Sequence, residues 1–425
     1  MPEGPSIAFR FLHTADLHLD SPLKSLALKD ADLASLIGNA SRRVFESIVA
    51  TCLEQRLDAL LIAGDLFDGD LRSVKPPAYL ARQLRLLDEA GVQVFMIRGN
   101  HDAEASAITN QLDLPPCVHV FTGHGGTVSL DEKGVAIHGV SFAQKRAPNS
   151  LLPKYKPPVE GMANIGLMHT SIGGSEGHDV YSPVSVADLV AHGFDYWALG
   201  HIHKRQIHHE DPFIVMPGIP QGRDMGEAGP KSVTLGTLDA GGMRIEEHLT
   251  SIAEFTAATV DISGAQDMED VRSALRAALH RTAEATQSEH AVLRLTLTGE
   301  TPLAWRIRRD IEQRLEEARE EAAALGTVWI ESLRAQPSPP SATLSEDDPV
   351  IELQTLMQGQ IITDAAFLAE AAEEMDKLIK KLPPGLRDHF GADETEREAM
   401  LRSLLSDGVE DVAAALHAVG DGGTE

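Results

Sequence analysis

The feature that most restricts how this chain can fold is a series of short, wholly apolar runs, each stopping at a cluster of glycine, aspartate, asparagine or histidine. ALLIAG (59–64) runs into GDLFDGD, VQVFMI (92–97) into RGNHD, IGLM (165–168) into His169, and YWAL (196–199) into Gly200-His201-Ile202-His203. A strand without polar residues must be covered on both faces, which places it inside a layered α/β domain. Ile7, Phe9 and Phe11 alternate instead, and their strand ends in HTADLHLD. Further strands are read at VAIHGV (135–140), FIVM (213–216) and SVTLGTL (232–238). Apolar spacing at Val44, Ile48, Val49, Cys52 and Leu53 predicts a helix over 41–56, and a second is expected over 78–90. Residues 1–250 are therefore expected to form one domain, with two sheets sandwiched between helices.

The pattern changes after residue 250. FTAATVDI, a helix over 267–286, AVLRLTLTG (291–299), a charged helix over 303–325 and GTVWIESL (326–333) give the order β-α-β-α-β, a small α+β domain over 251–335. QPSPPSATLSEDDP (336–349) is rich in breakers and reads as a linker. Residues 350–425 carry helical apolar stripes too short to fold alone, so this tail is expected to dock, either on a partner or on its own chain.

Charge limits the partners. The chain holds 37 Lys and Arg against 64 Asp and Glu, a net charge of −27, so its overall field repels a polyanion. Residues 336–425 account for 19 of the acids and only 6 of the bases, so the remainder is less acidic than the total implies. Cys52 and Cys117 form no CxxC pair, which excludes a disulfide scaffold and a thiolate zinc site. No apolar run is long enough to cross a membrane and the first residues do not read as a secretory signal, so a cytoplasmic protein is expected.

Five blocks carry the chemistry: Asp16-x-His18, Gly64-Asp65 with Asp68, Gly99-Asn100-His101-Asp102, His169, and Gly200-His201-Ile202-His203. Singly each is weak, since a lone strand-end histidine is more often a core or surface group and Asn beside Gly a turn residue. Jointly they put imidazole, carboxylate and amide groups at the carboxyl ends of strands, where α/β folds bind ligands.

This ordered set resembles the calcineurin-like metallophosphoesterases over residues 7–240. DYWALGHIH (195–203), PGIPQGRDMGEAGPKS (217–232) and the added cap and tail resemble, within them, the SbcD/YhaO-type DNA repair exonuclease subunits. The resemblance implies a four-layer αββα sandwich with a small α+β cap and a helical C-terminal tail. It implies that Asp16, His18, Asp65 and His203 hold one metal and that Asp65, Asn100, His169 and His201 hold a second, Asp65 bridging. Nitrogen and oxygen donors without thiolate suit two divalent ions, Mn(II) first, with Fe(II), Zn(II) or Mg(II) the alternatives. Two such ions against Asp16 and Asp65 leave about +2 at the site, an inorganic attraction for a phosphodiester in an acidic protein. His101 is expected as the general acid, with Asp102 orienting its ring. Many relatives carry histidine at the position of Asp68, which leaves the role of that residue open.

Other residues are weighed lower. Arg98 is a candidate phosphate contact. Lys145 and Arg146, with Lys154 and Lys156, form an acid-free basic stretch, Lys204, Arg205 and Arg223 flank the site, and Trp305-Arg306-Ile307-Arg308-Arg309 adds a cluster; each is either a nucleic-acid contact or solvated surface. His13 and His138 are expected in the core or just behind the ligands, His178, His208 and His209 at the surface; His124 is left open and Glu227 either supports a ligand or faces solvent. The resemblance implies a metal-dependent nuclease subunit for DNA end processing with DNA and an SMC-like ABC-type ATPase as partners. The chain has no GxxxxGK[ST] of its own, and a second copy could serve as a homodimer partner. The alternative is a phosphoesterase acting on small phosphodiesters such as cyclic nucleotides, and the third reading a metal site kept only as an interaction scaffold.

Overall fold

A computed structural model describes residues 8–19, 21, 31–68, 75–104, 113–173, 181–340, 348–382, 390–391 and 394–421. His178 and much of the expected linker (341–347) lie outside them. The described residues divide into two compact units: one holds those up to residue 21 with 35–255 and 287–289, the other 31–34, 256–286 and 290–421.

The first unit contains strands β1 (Phe9–Thr14), β2 (Ala59–Ala63), β3 (Gln93–Ile97), β4 (Val118–Val120), β5 (Gly126–Leu130), β6 (Val135–Gly139), β7 (Ala163–His169), β8 (Tyr196–Gly200), β9 (Gln206–Glu210), β10 (Phe213–Met216), β11 (Ser232–Asp239) and β12 (Gly242–Leu249). They form two six-stranded sheets, ordered β12-β11-β1-β2-β3-β4 and β5-β6-β7-β8-β10-β9. In the first, β1 to β4 run parallel; in the second, β6, β7, β8 and β10 do.

Side-chain alternation explains why the central strands read as continuous apolar runs. Ala59, Leu61, Phe95 and Ile97 face Ile165, Leu167, Tyr196 and Ala198 between the sheets. Leu60, Ile62, Val94 and Met96 face the opposite way, packing with Val44, Ile48, Leu80 and Leu84 of helices Ala31–Glu54 and Lys75–Glu89. On the outer face of the second sheet, Met168, Trp197 and Leu199 pack with Leu189 of helix Val186–His192. Ser185 caps that helix reciprocally with Asp188, and Gly193 ends it in the left-handed conformation. The layers are helix, sheet, sheet, helix. As the sequence implied, this is a mixed α/β fold with two large sheets flanked by helices.

The second unit holds the three-stranded sheet order β13 (Ala253–Asp261, in this unit from residue 256), β14 (His290–Glu300), β15 (Val328–Ser338), with β14 and β15 parallel. Helix Met268–Ala285 starts at an Asp267–Asp270 capping box. The helix expected over 303–325 is two, Ala304–Arg309 and Ile311–Leu325, broken at Asp310. The strand expected to end at 333 continues to Ser338, inside the expected linker: Gly299 and Glu300 of β14 pair with Pro337 and Ser338, so a register partner outweighs the local breakers.

The tail docks on its own chain. In helix Glu394–Asp421, His417 stacks on Trp305 with ring centroids 4.5 Å apart, and Glu410 and Asp411 lie 4.0 and 3.8 Å from the Arg308 guanidinium. Ile307 is fully buried and Arg309 pairs with Asp310. Trp305 and Arg308 therefore belong to an intramolecular interface, while Arg306 and Arg309 stay exposed. No helix among the described residues is long and apolar enough to cross a membrane.

Candidate metal centre

Parallel strands bring the polar blocks to one rim. β1, β2 and β3 end in the Asp16–His18, Asp65–Asp68 and Asn100–Asp102 segments, while β7 ends at His169 and β8 feeds His201 and His203. Close approach is permitted by glycines. A Cβ on Gly99 would sit 2.1 Å from Asp65 Oδ1, and one on Gly200 would sit 2.2 Å from the Ala63 carbonyl. Asp16, His18, Asp65 and His201 all have positive φ, +53°, +41°, +51° and +106°. Four non-glycine residues in this sparsely populated region at one site are held there by surrounding structure and mark a functional constraint.

Two groups of donors converge, Asp16 with His18 and His203, and Asp65 with His169 and His201; within each, one donor atom per residue lies within 4.8 Å of the others. Asn100 joins the second through Oδ1, 3.0 Å from His169 Nε2. His18, Asp68 and His101 also meet that spacing, but Asp68 Oδ1 lies 2.5 Å from His18 Nδ1, a hydrogen bond with no room for an ion.

The hydrogen bonds fix where protons sit. A carbonyl can only accept, so His169 donates from Nδ1 to Ala63 O at 2.9 Å, and its Nε2 in the neutral ring is a lone pair. That lone pair meets two more acceptors, Asn100 Oδ1 at 3.0 Å and Asp65 Oδ2 at 3.3 Å. Likewise His18 Nδ1 donates to Asp68 and His203 Nδ1 to Glu227 Oε1 at 2.6 Å, leaving two Nε2 lone pairs facing each other at 3.2 Å. Acceptors pointed at acceptors require a proton or a cation between them. Their identity, imidazole, carboxylate and amide, fits divalent metal ions.

The electrostatics say the same. Burial alone would lower the His169 pKa, but the Asp65 charge, the Asp65 hydrogen bond and Asp16 raise it to about 9. Burial pushes the Asp65 carboxyl up, yet His169, then His18 and His101, hold it well below the carboxylate range. For Asp16 burial dominates and raises the pKa. Bound cations would take the place of those imidazole protons.

Backbone N–H groups tie the rim together. His201 N–H donates to both Asp16 oxygens at 3.1 and 2.9 Å, joining the two sheets, and His101 N–H donates to Asp65 Oδ1 at 3.0 Å. Asp102 was expected to orient the His101 ring. Its buried carboxylate is instead taken by the N–H groups of Phe67 and Gly99, both at 3.1 Å. Neighbours in one helical turn, Asn100–Glu104, do not face each other. The carboxylate beside the His101 ring is Asp68, Oδ1 lying 3.9 Å from Nδ1. Burial, then the Asp65 charge, pushes Asp102 up to about 6 against its backbone donors, and burial lowers the His101 pKa.

The remaining candidates scatter. Arg98 borders a small cleft with Leu66, Leu80, Met96 and Asp102. Lys145 and Arg146 are exposed on the loop after Phe142, whose ring packs edge-on to His169 at 5.6 Å. His13 and His138 are buried as expected, while His208 and His209 are half-buried on β9 rather than at the surface. Phe142, and Tyr181 edge-on to His201 at 5.2 Å, are neighbours the sequence pattern did not signal.

The calcineurin-like phosphoesterase family profile matches residues 9–205, and that of the metallophosphoesterase YhaO middle domain matches residues 255–337. The uncharacterized metallophosphoesterase YhaO of Bacillus subtilis (strain 168) is 32% identical over 304 residues, 69% of this chain and 72% of that protein. The DNA double-strand break repair protein Mre11 of Methanopyrus kandleri is 25% identical over 295 residues, 63% of this chain and 62% of that protein, so less than two thirds of that relative is spanned. The UDP-2,3-diacylglucosamine hydrolase of Neisseria meningitidis serogroup B is 28% identical over 174 residues, 36% of this chain and 72% of that enzyme. With its two sheets and the donor groups on their shared rim, the chain belongs to the calcineurin-like metallophosphoesterases, in the YhaO family, and is a metal-dependent phosphoesterase hydrolase.

Proposed function

We propose that the chain is a DNA nuclease subunit that processes DNA ends through two bound divalent ions, Mn(II) in the first instance, and works with an SMC-like ABC-type ATPase. Asp16, His18, Asp65 and His203 hold one ion, and Asp65, Asn100, His169 and His201 the other. The observation that carries this reading is the convergence of the His18, His203 and His169 Nε2 lone pairs on other acceptors. When bound, the ions supply the Lewis acidity that activates a water and offsets phosphate charge.

The chain's own residues then divide the work. His101 gives a proton to the leaving alkoxide. Asp68, 3.9 Å from Nδ1, favours the doubly protonated ring, so that Nε2 carries the proton given up and Nδ1 keeps its own. Asp102 holds the loops carrying Asp65 and Asn100 against each other. Arg98, Lys145 and Arg146 contact the phosphate backbone. The likeness to the Mre11 repair proteins supports DNA over a small substrate. The hydrolase relative and the charge of −27 favour the second reading, a phosphoesterase of small phosphodiesters such as cyclic nucleotides.

The deciding experiment is a side-by-side assay of linear duplex DNA and cyclic nucleotides with Mn(II). Shortening of the DNA is expected. Turnover of cyclic nucleotides with intact DNA would overturn the nuclease reading and leave the phosphoesterase standing.

A further inference from the structure

We infer that Glu227, clamped by Arg223, is a positioning residue for His203, and that it makes the cation held by Asp16, His18 and His203 the more tightly bound of the two. This rests on the dinuclear reading above. Glu227 ends the short turn Met225–Glu227, and its side chain is only 10% exposed, less than the 27% of the histidine it supports. Its Oε1 accepts from His203 Nδ1 at 2.6 Å and from Arg223 Nη2 at 2.8 Å, while Oε2 accepts the Arg223 backbone N–H at 2.7 Å. The turn closes only because residue 222 is glycine: a Cβ there would lie 2.8 Å from the Glu227 carbonyl. Both carboxylate oxygens are thus committed, and the one facing His203 has a single direction.

That direction has a chemical consequence. A carboxylate accepting from Nδ1 keeps Nε2 deprotonated, fixes the ring plane and makes the imidazole a stronger donor to a metal. His18 has the same support from Asp68, and the Arg223 Nη1 lies 3.9 Å from that carboxylate as well. One guanidinium therefore sits between the carboxylates behind both imidazoles of the first group. In the second group, His169 is supported by the Ala63 carbonyl, a neutral acceptor. Asp16 belongs to the first group alone. The second shares Asp65 and otherwise offers only neutral donors, so the negative charge is unequal.

Mn(II) titrated into metal-free full-length protein, with metal content measured at fixed free Mn(II), tests this. The wild type is expected to take up two ions per chain in a tight and a weak class. In Glu227→Ala the tight class should weaken about 10–100-fold and the weak class within about threefold. Glu227→Gln, which keeps an acceptor at the same reach, should shift the same class by less, and Arg223→Lys should also act on it selectively. Thermal unfolding of the metal-free variants checks that they fold; if Glu227→Ala does not, Glu227→Gln decides. Equal weakening of both classes, or an unchanged tight class, would overturn the inference. A wild type that binds fewer than two ions would instead overturn the dinuclear reading.

Discussion

The Nε2 atoms of His18 and His203, 185 positions apart in sequence, face each other at 3.2 Å across the junction of the two sheets. Each ring spends its Nδ1 proton on a carboxylate, so the short approach is tenable when positive charge lies between them. Chelation should therefore cost stability. At Mn(II) concentrations about a hundredfold above the dissociation constant, the loaded protein should be more stable than the metal-free form by about 2.7 kcal/mol. Thermal unfolding with and without EDTA reads the difference; identical curves would mean that nothing is held there.

His101→Ala is expected to lower turnover about 10²–10⁴-fold while two metals are retained, because the ring supplies a proton and is not among the proposed ligands. Metal analysis of the purified variant accompanies the rate assay. Normal nicking would remove His101 from the mechanism.

Asp102→Ala should destabilise the protein by about 3 kcal/mol, since two buried backbone N–H groups, of Phe67 and Gly99, lose their acceptor. Asp102→Asn keeps one acceptor oxygen and should lose roughly half as much. Denaturant titration measures both. If Asp102 acted on the His101 ring instead, turnover would fall in both variants without these stability losses.

His13 is fully buried against Tyr196 and the Leu199 carbonyl, and burial lowers its pKa from 6.5 to about 3. The unfolded chain thus binds this proton more readily. The stability contribution is intact above pH 6.5 and declines as pH drops towards 3, by up to about 1.4 kcal/mol per pH unit. Unfolding free energies measured between pH 7.5 and 4 should show a smaller slope for His13→Gln than for the wild type. Parallel slopes would assign the acid sensitivity to other groups.

Removing residues 345–425 is expected to spare hydrolysis of a small phosphodiester and to abolish association with the proposed ATPase partner. It also uncovers Trp305 and Arg308, which the tail now contacts. Co-purification of the ATPase with the truncated chain would refute the tail's role.

Much of the sandwich was legible because its strands are buried on both faces, so Ala59–Ala63 and Tyr196–Gly200 show as uninterrupted apolar runs ending in polar residues. β12 was not, because Gly242–Leu249 is a largely exposed edge strand, held by its register with β11 and by partial burial of Met243 and Ile245. Spacing brought out the blocks at the rim, but not which carboxylate serves which ring. Asp68 and Glu227 reach their histidines across 50 and 24 positions, whereas adjacent Asp102 turns away from His101. Arg308 reads as part of a cationic surface until the acids at Glu410 and Asp411 are brought beside it by packing, which no local pattern encodes.

The donors are divided between the sheets: Asp16, His18, Asp65 and Asn100 follow strands of one, His169, His201 and His203 those of the other. Neither half of the sandwich can assemble the cage by itself. Any disturbance that loosens the seam between them would disarm the enzyme while most of its secondary structure survived, so loss of metal should be an earlier sign of damage than loss of fold.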